Sequence, residues 1–155
     1  AGIPARPVYV PRWSHCDDNH AWVEVWCDGD WHYLGACEPE AVLDKSWFTN
    51  AASRAMMIGS RWYDRAMPDE KVIGKDGMNR IINLLGKYAK TRWITITVED
   101  LDGTPAAGAK VRAEVMNYGE FSPIAIMEAD KNGCISFETG FGSLLICAVY
   151  DGAYG

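Results

Sequence analysis

The chain has 155 residues, of which 48% are hydrophobic and 23% charged. This is the composition of a globular protein and excludes a mostly disordered chain. The 15 Lys and Arg residues against 21 Asp and Glu residues give a net charge of -6, so we expect no nucleic-acid partner. No apolar run approaches the roughly 20 residues of a membrane helix, and we expect no membrane span in this chain. The length suffices for one full domain or two small ones.

The five cysteines, Cys16, Cys27, Cys37, Cys134 and Cys147, form no Cys-x-x-Cys pair. Their spacing excludes a zinc ribbon and a thioredoxin-type redox motif, and we predict neither a metal nor a cofactor. Because their number is odd, at least one thiol is free if all disulfides are internal.

Two aromatic strands around an Asp-Gly turn are the clearest local signal. Residues 20–26 are β-branched and aromatic, Asp28-Gly29 follows, and residues 31–34 are again aromatic. This pattern predicts a β-hairpin.

The register of the hairpin depends on its loop. A two-residue loop places Cys37 opposite His20, whereas a three-residue loop at 28–30 or a bulge places Glu38 there. Directly opposite side chains lie about 5 Å apart. The hairpin therefore predicts either a Cys–His pair or a His–carboxylate pair, and both occur in nucleophilic catalysis.

The other elements of the first half are less regular. Residues 8–10 lie between two prolines, which predicts an edge strand or a strand end. We predict a helical turn at 39–43, where a Pro suits the helix start. Residues 54–63 are apolar and aromatic and predict a strand, whereas 64–79 contain Pro, Gly and many charges and predict an exposed loop.

The pattern changes after roughly the first 90 residues. Residues 93–98 alternate strictly between apolar and polar side chains, and further short apolar runs follow, separated by turns at 100–105 and 130–133. Five or six short strands at such intervals predict a small β-sandwich. We therefore predict two units, 1–88 and 89–155.

Several motifs resemble the transglutaminase-like superfamily, a cysteine-protease-like group. They are Gly2-Ile3-Pro4-Ala5-Arg6, His20-Ala21-Trp22-Val23-Glu24-Val25, Gly29-Asp30-Trp31 and Glu38-Pro39. In that family a Cys-His-Asp/Glu triad has its His at the start of an H-x-W-x-E-V strand and its acid just before a Pro on the neighbouring strand. The resemblance covers about residues 2–63 and implies that His20 is the catalytic His and Glu38 the acid.

The resemblance also implies a fold and a reaction. The fold is mainly β: an antiparallel sheet from an α+β transglutaminase-like domain, followed by the β-sandwich. The family's nucleophilic Cys precedes the GIPAR-like segment, so we expect this chain to be an inactive fragment without the nucleophile, with Cys37 as a weaker alternative. The intact protein would act through a thioester on amide or ester carbonyls of a peptide, protein or glycopeptide, by hydrolysis or transamidation.

Two other hypotheses stay open at this point. His15, Cys16, His20 and Cys37 include ligand types that suit Zn²⁺, although their spacing matches no finger pattern. Alternatively, the chain is a transglutaminase-like scaffold without catalysis, acting as a binding or structural module of a cell-surface or periplasmic protein.

The C-terminal unit resembles prealbumin-like and carboxypeptidase-regulatory-like sandwiches. The residues that carry this resemblance are 98–105, 108–111 and 130–133. Such sandwiches accompany secreted or cell-surface bacterial enzymes, which implies a bacterial, extracytoplasmic protein in the periplasm or at the cell surface. We interpret residues 117–121 as a strand connection, with a carbohydrate or peptide contact as the alternative.

A sheet normally buries one face. A fragment without the family's helix would leave an apolar face uncovered, for which Tyr9, Trp22, Tyr33 and Trp62 are the candidates. Exposed apolar patches of that size mark interaction sites, so we expect self-association into a homo-oligomer through this face.

Overall fold

The computed structural model describes residues 2–62 and 72–155, and within them the chain is mainly β, as predicted. The strands are β1 (Ala5–Val10), β2 (His20–Cys27), β3 (Asp30–Leu34), β4 (Gly59–Trp62), β5 (Val72–Asp76), β6 (Asn79–Asn83), β7 (Arg92–Thr97), β8 (Lys110–Asn117), β9 (Glu120–Glu128), β10 (Cys134–Thr139), β11 (Leu145–Tyr150) and β12 (Ala153–Tyr154). The described helical segments are α1 (Thr49–Ala52) and a 3₁₀ turn, Leu85–Lys87. None of the described helices has the length and apolar character needed to cross a bilayer.

The first six strands form one antiparallel sheet in the order β3-β2-β1-β4-β6-β5. The predicted hairpin is confirmed, and Cys27 pairs with Asp30 across its turn. Asp28 and Gly29 both have positive φ, 51° and 85°, which is the two-residue turn geometry that matches the twist of the flanking strands. The three-residue loop is therefore wrong.

Of the two alternatives for residues 8–10, the edge strand is wrong, because β1 lies between β2 and β4, whereas the strand end is confirmed, because β1 ends at Val10. Only Tyr9 of β1 pairs with β4, through Gly59. The carbonyl of Pro7 faces β4, where it accepts a hydrogen bond from the Ser60 hydroxyl at 2.7 Å. The missing N–H of Pro7 therefore interrupts no strand pairing on that side, and the sheet tolerates a proline inside it.

The structure corrects three further predictions for the middle of the chain. Residues 39–43 contain no helix, and α1 forms later instead. The strand predicted over 54–63 is confirmed only at β4. The loop predicted over 64–79 is wrong from Val72 onward, because β5 and β6 form a hairpin there, while its first part, 64–71, lies outside the described residues.

The side of the first sheet that faces the N-terminal core is covered. Trp22 and Tyr33 are only 1% and 9% exposed, since they pack with Phe48 and Leu85 from the segments that follow β3 and β6. The prediction that these two side chains belong to an uncovered face is therefore wrong. Tyr9 and Trp62 are half-buried.

The C-terminal strands form a two-stranded sheet, β10-β7, and a four-stranded sheet, β12-β11-β8-β9. Their inward side chains share one apolar cluster, to which Val111 of β8 and Phe137 of β10 belong. Met56, Met57 and Ile73 from the N-terminal part pack into the same cluster. The two parts of the chain thus share core residues in addition to their covalent connection.

A buried ion pair joins β1 to β2. Arg6 is 8% exposed and Glu24 is fully buried, and the Arg6 Nε lies 2.6 Å from Glu24 Oε2. The other carboxylate oxygen accepts a hydrogen bond from the Tyr88 hydroxyl at 2.5 Å and lies 3.5 Å from Lys87 Nζ. Burial and the hydrogen bond to Glu24 raise the pKa of Tyr88. The buried carboxylate is therefore hydrogen-bonded on both oxygens, as a buried charge requires.

This ion pair gives a stability prediction. Glu24→Leu or Arg6→Met alone should lower the free energy of unfolding by about 3–5 kcal/mol, because each leaves a buried charge without its partner. The double variant should cost less than the sum of the two, since it removes both charges. Urea denaturation of the four proteins measures this, and strictly additive costs would contradict it.

Candidate functional site

His20 is the first residue of β2 and pairs with Val10 of β1. Its ring lies in an aromatic cluster, with centroid distances of 5.9 Å to Trp22, 4.6 Å to Trp47 and 4.9 Å to Phe48. Trp22 and Phe48 are buried, whereas Trp47 is 60% exposed. The His20 ring is thus half-buried, with an exposed aromatic side chain beside it.

Burial lowers the pKa of His20 below its ordinary value of 6.5. The carboxylates of Glu38 and, to a smaller extent, Asp18 raise it but do not overcome burial. The imidazole is consequently neutral at pH 7, which is the form that can accept a proton. The two carboxylates stabilise the imidazolium once it has formed.

Glu38 lies in a bend after β3 and not on a strand position paired with β2, and its charge raises the pKa of His20. β3 ends at Leu34, and a Cβ at Gly35 would lie 2.6 Å from the carbonyl oxygen of Glu38. The backbone therefore folds back over Gly35 more closely than any side chain would permit. Among the described residues no hydrogen bond joins Glu38 to His20, so their interaction is one of charge.

The Cys–His pair expected from the two-residue turn does not form, because β3 ends three residues before Cys37. All five cysteines are free, and all lie in the described part of the chain. Cys16 and Cys37 are exposed, and neither makes a hydrogen bond with His20 in the described structure.

The described residues include no group of three or more His, Cys, Asp or Glu side chains placed to hold a metal ion. The alternative of a zinc site built from His15, Cys16, His20 and Cys37 is therefore wrong. The pKa of His15 is lowered by burial and by the neighbouring charge of Arg54.

Sequence reasoning missed a second His–carboxylate pair. His32 Nδ1 lies 2.5 Å from Asp44 Oδ2, and the other oxygen of Asp44 accepts the backbone N–H of Tyr33 at 2.9 Å. Burial raises the pKa of Asp44, but the hydrogen bonds from His32 and Tyr33 outweigh it, so this pKa is below its usual range. Tyr33 points to the core, and its neighbour His32 points to the opposite face of the sheet, away from His20.

Trp47 was also missed, because exposed aromatic residues in loops have no local sequence signature. Its contact with His20 depends on the long connection between β3 and α1, whose path the sequence did not indicate.

The comparisons with known proteins concern the N-terminal strands. A family model described as the transglutaminase-like superfamily matches residues 1–36 of the 155. The match spans β1, β2 and β3 and includes His20, but it ends before Glu38. No curated protein and no solved structure matches the chain. Similarity to the superfamily is therefore limited to about a quarter of the chain.

Glu38→Gln should lower the pKa of His20 further, because Glu38 raises this pKa more than Asp18 does and the variant removes its charge. The NMR titration of the His20 ring measures this. Glu40→Gln, an exposed carboxylate two residues away, is the matched control and should leave the titration unchanged. An unchanged or raised pKa in Glu38→Gln would contradict the placement of Glu38.

Gly35→Ala should have the same effect on His20, since the new Cβ collides with the carbonyl of Glu38 and forces the bend open. The expected result is a lower His20 pKa in a folded protein. Gly2→Ala, where a Cβ meets nothing within 4 Å, is the control. If Gly35→Ala titrates like the unmodified protein, the bend does not position Glu38.

Proposed function

We propose that His20 and Glu38 are the general base and the orienting acid of a cysteine-protease-like site of the transglutaminase-like type. The observation that carries this proposal is the placement of His20. It opens β2 within the matched segment, burial lowers the pKa of its imidazole, and the charge of Glu38 in the bend after β3 acts on the ring.

The reaction class is acyl transfer through a thioester. The imidazole of His20 takes the proton of a cysteine thiol, and the thiolate sulfur attacks an amide or ester carbonyl carbon. His20 then gives the proton to the departing amine or alcohol, and a thioester remains. Water or an amine attacks the thioester, again with His20 as base, and the thiolate leaves. Glu38 favours the imidazolium at each stage where His20 holds the proton.

None of the five cysteines present is hydrogen-bonded to His20 in the described structure, so this proposal assigns the role of nucleophile to none of them. The substrate is the carbonyl of a peptide, protein or glycopeptide. Trp47, whose ring lies 4.6 Å from that of His20, would exclude water from one side of the imidazole and contact the substrate.

Activity assays test the proposal. The 155-residue chain alone should neither hydrolyse nor transamidate amide and ester substrates. If the gene encodes further residues before Ala1, an extended protein that includes them should form a thioester and turn over. His20→Ala in the extended protein should reduce kcat/KM by about 10²–10⁴-fold, the usual contribution of a general base.

His32→Ala is the matched control, since His32 has its own carboxylate partner and points to the other face of the sheet. It should retain activity. Turnover by the 155-residue chain itself, lost in Cys16→Ser or Cys37→Ser, would overturn the assignment of the nucleophile. An extended protein that forms no thioester and shows no turnover would instead favour the binding or structural module.

A further inference from the structure

A cleft of about 1220 Å³ lies between the N-terminal core and the C-terminal sheets. One side is formed by the residues that follow α1 and those around the 3₁₀ turn, and the other by the β8–β9 hairpin and the connection between β10 and β11. His20, Glu38 and Trp47 do not line it, so the cleft is distinct from the candidate site described above. Small-molecule pockets usually occupy about 300–1,000 Å³, and this cleft is larger.

Hydrogen bonds fix the two sides of the cleft against each other. The hydroxyl of Thr139, the last residue of β10, donates to the carbonyl of Met56 at 2.8 Å. At the edge of the cleft, Asn117 Nδ2 donates to the carbonyls of Trp13 and Cys16 at 3.0 and 3.1 Å, and the two residues between them line the cleft. The cleft is thus formed before any ligand binds, which lowers the entropic cost of binding.

The charged side chains that line the cleft are basic. They are Arg54, Lys87 and Lys90, and no Asp or Glu is among the lining residues, although the chain carries a net charge of -6. The ammonium of Lys87 is already engaged, because it lies 3.5 Å from Glu24 Oε1. Arg54 and Lys90 are exposed, and neither forms an ion pair within the described part of the chain. Two cations of the cleft are therefore available to an anionic ligand.

Four exposed apolar side chains line the same cleft. Met116 and Phe121 lie opposite each other on β8 and β9 and are 51% and 50% exposed. Phe141 and Leu145 are 66% and 37% exposed, and the guanidinium carbon of Arg92 lies 5.7 Å from the centroid of the Phe141 ring. Exposed apolar patches mark interaction sites, and aromatic residues, Met and Arg are enriched at protein interfaces.

We propose that this cleft binds an acidic peptide segment that carries bulky apolar side chains. The carboxylates of the peptide pair with Arg54 and Lys90, and its apolar side chains pack on Phe141 and on Met116 with Phe121. The volume of the cleft suits several residues of an extended peptide better than a small molecule. Single-stranded nucleic acid also combines negative charge with apolar rings, but proteins bind it along a basic groove with many phosphate contacts, which two available cations do not provide. The proposal does not depend on the proposed function, because no residue of that site lines the cleft.

Fluorescence anisotropy of a labelled peptide of alternating Glu and Phe residues tests the proposal on the unmodified chain. The peptide should bind saturably, and more weakly as the salt concentration rises, because salt screens exposed charges. A peptide with Lys in place of Glu and another with Ser in place of Phe should each bind at least about tenfold more weakly, since each lacks one of the two kinds of contact. Equal binding of the Lys peptide, or tighter binding of a labelled oligothymidylate, would overturn the proposal.

A double charge reversal in the cleft tests which residues bind the peptide. Arg54→Glu with Lys90→Glu should weaken binding of the Glu-Phe peptide by about tenfold or more, because attraction becomes repulsion. Lys110→Glu with Lys131→Glu is the matched control, since it makes the same change in net charge at exposed lysines outside the cleft, and it should leave binding nearly unchanged. Equal losses in both double variants would show that only the overall charge matters and would contradict the proposal.

The apolar contact has its own variant. Phe141→Ala should also weaken binding, whereas Tyr154→Ala, which removes an exposed aromatic ring outside the cleft, should not. NMR chemical-shift mapping on the unmodified chain covers the case in which a variant does not fold, because the peptide should shift the amide signals of residues 53–55, 86–90 and 141–145. Shifts confined to other residues would overturn the proposal. So would a dimer of the chain that Arg54→Glu with Lys90→Glu dissociates in light scattering, since the occupant of the cleft would then be a second copy.

Discussion

The buried carboxylate of Glu24 is the constraint on which the N-terminal sheet depends. A fully buried charge is tolerated only when it is paired and hydrogen-bonded, and its partners come from two places: Arg6 of β1, and the Lys87 and Tyr88 side chains around the 3₁₀ turn. The pairing of Arg6 with Glu24 in the sheet fixes the register of β1 against β2. A slip by one residue would turn His20 to the other face.

From that register the aromatic core follows. The indole N–H of Trp22 donates to the Tyr88 hydroxyl at 3.0 Å, and the same hydroxyl donates to Glu24. Trp22 stacks on Phe48 at 4.6 Å, which in turn borders His20. The buried Glu24 carboxylate, which sets the strand register, therefore also positions the aromatic side chains that surround the neutral imidazole. The H-x-W-x-E-V strand therefore contains the buried Glu24 carboxylate, the core residue Trp22 and the candidate site residue His20.

Local sequence patterns predicted the turns and strands whose conformation depends mainly on residues close together in the chain. The Asp28-Gly29 turn fixed the hairpin, because few residues other than Gly, Asn and Asp accept positive φ, and strict alternation located β7. The bend at Gly35 could not be predicted, because a glycine that permits a close backbone approach has no distinct local pattern. The β5–β6 hairpin was missed, because its glycines and charged residues favoured a loop, although Ile73 and Ile82 are buried in the folded chain.

In the candidate site, too, some residues could be predicted from local patterns and others could not. His20 was predicted from the motif around it and Glu38 from the Pro that follows, and both stay predictions. Outside that site, Asn117 was interpreted as part of a strand connection, because its partners are backbone groups of a distant loop that no sequence pattern reveals. Tertiary contacts of this kind decide which segments of the chain meet, and they are visible only in the folded chain.

The NMR titration of His20 in the unmodified chain tests the central claim most directly. The account predicts a midpoint below 6.5, and a second, weaker response of the ring when carboxylates become protonated at acid pH. That response reports the charges that face the imidazole. A midpoint at or above 6.5, with no response at acid pH, would contradict a half-buried His20 facing carboxylates.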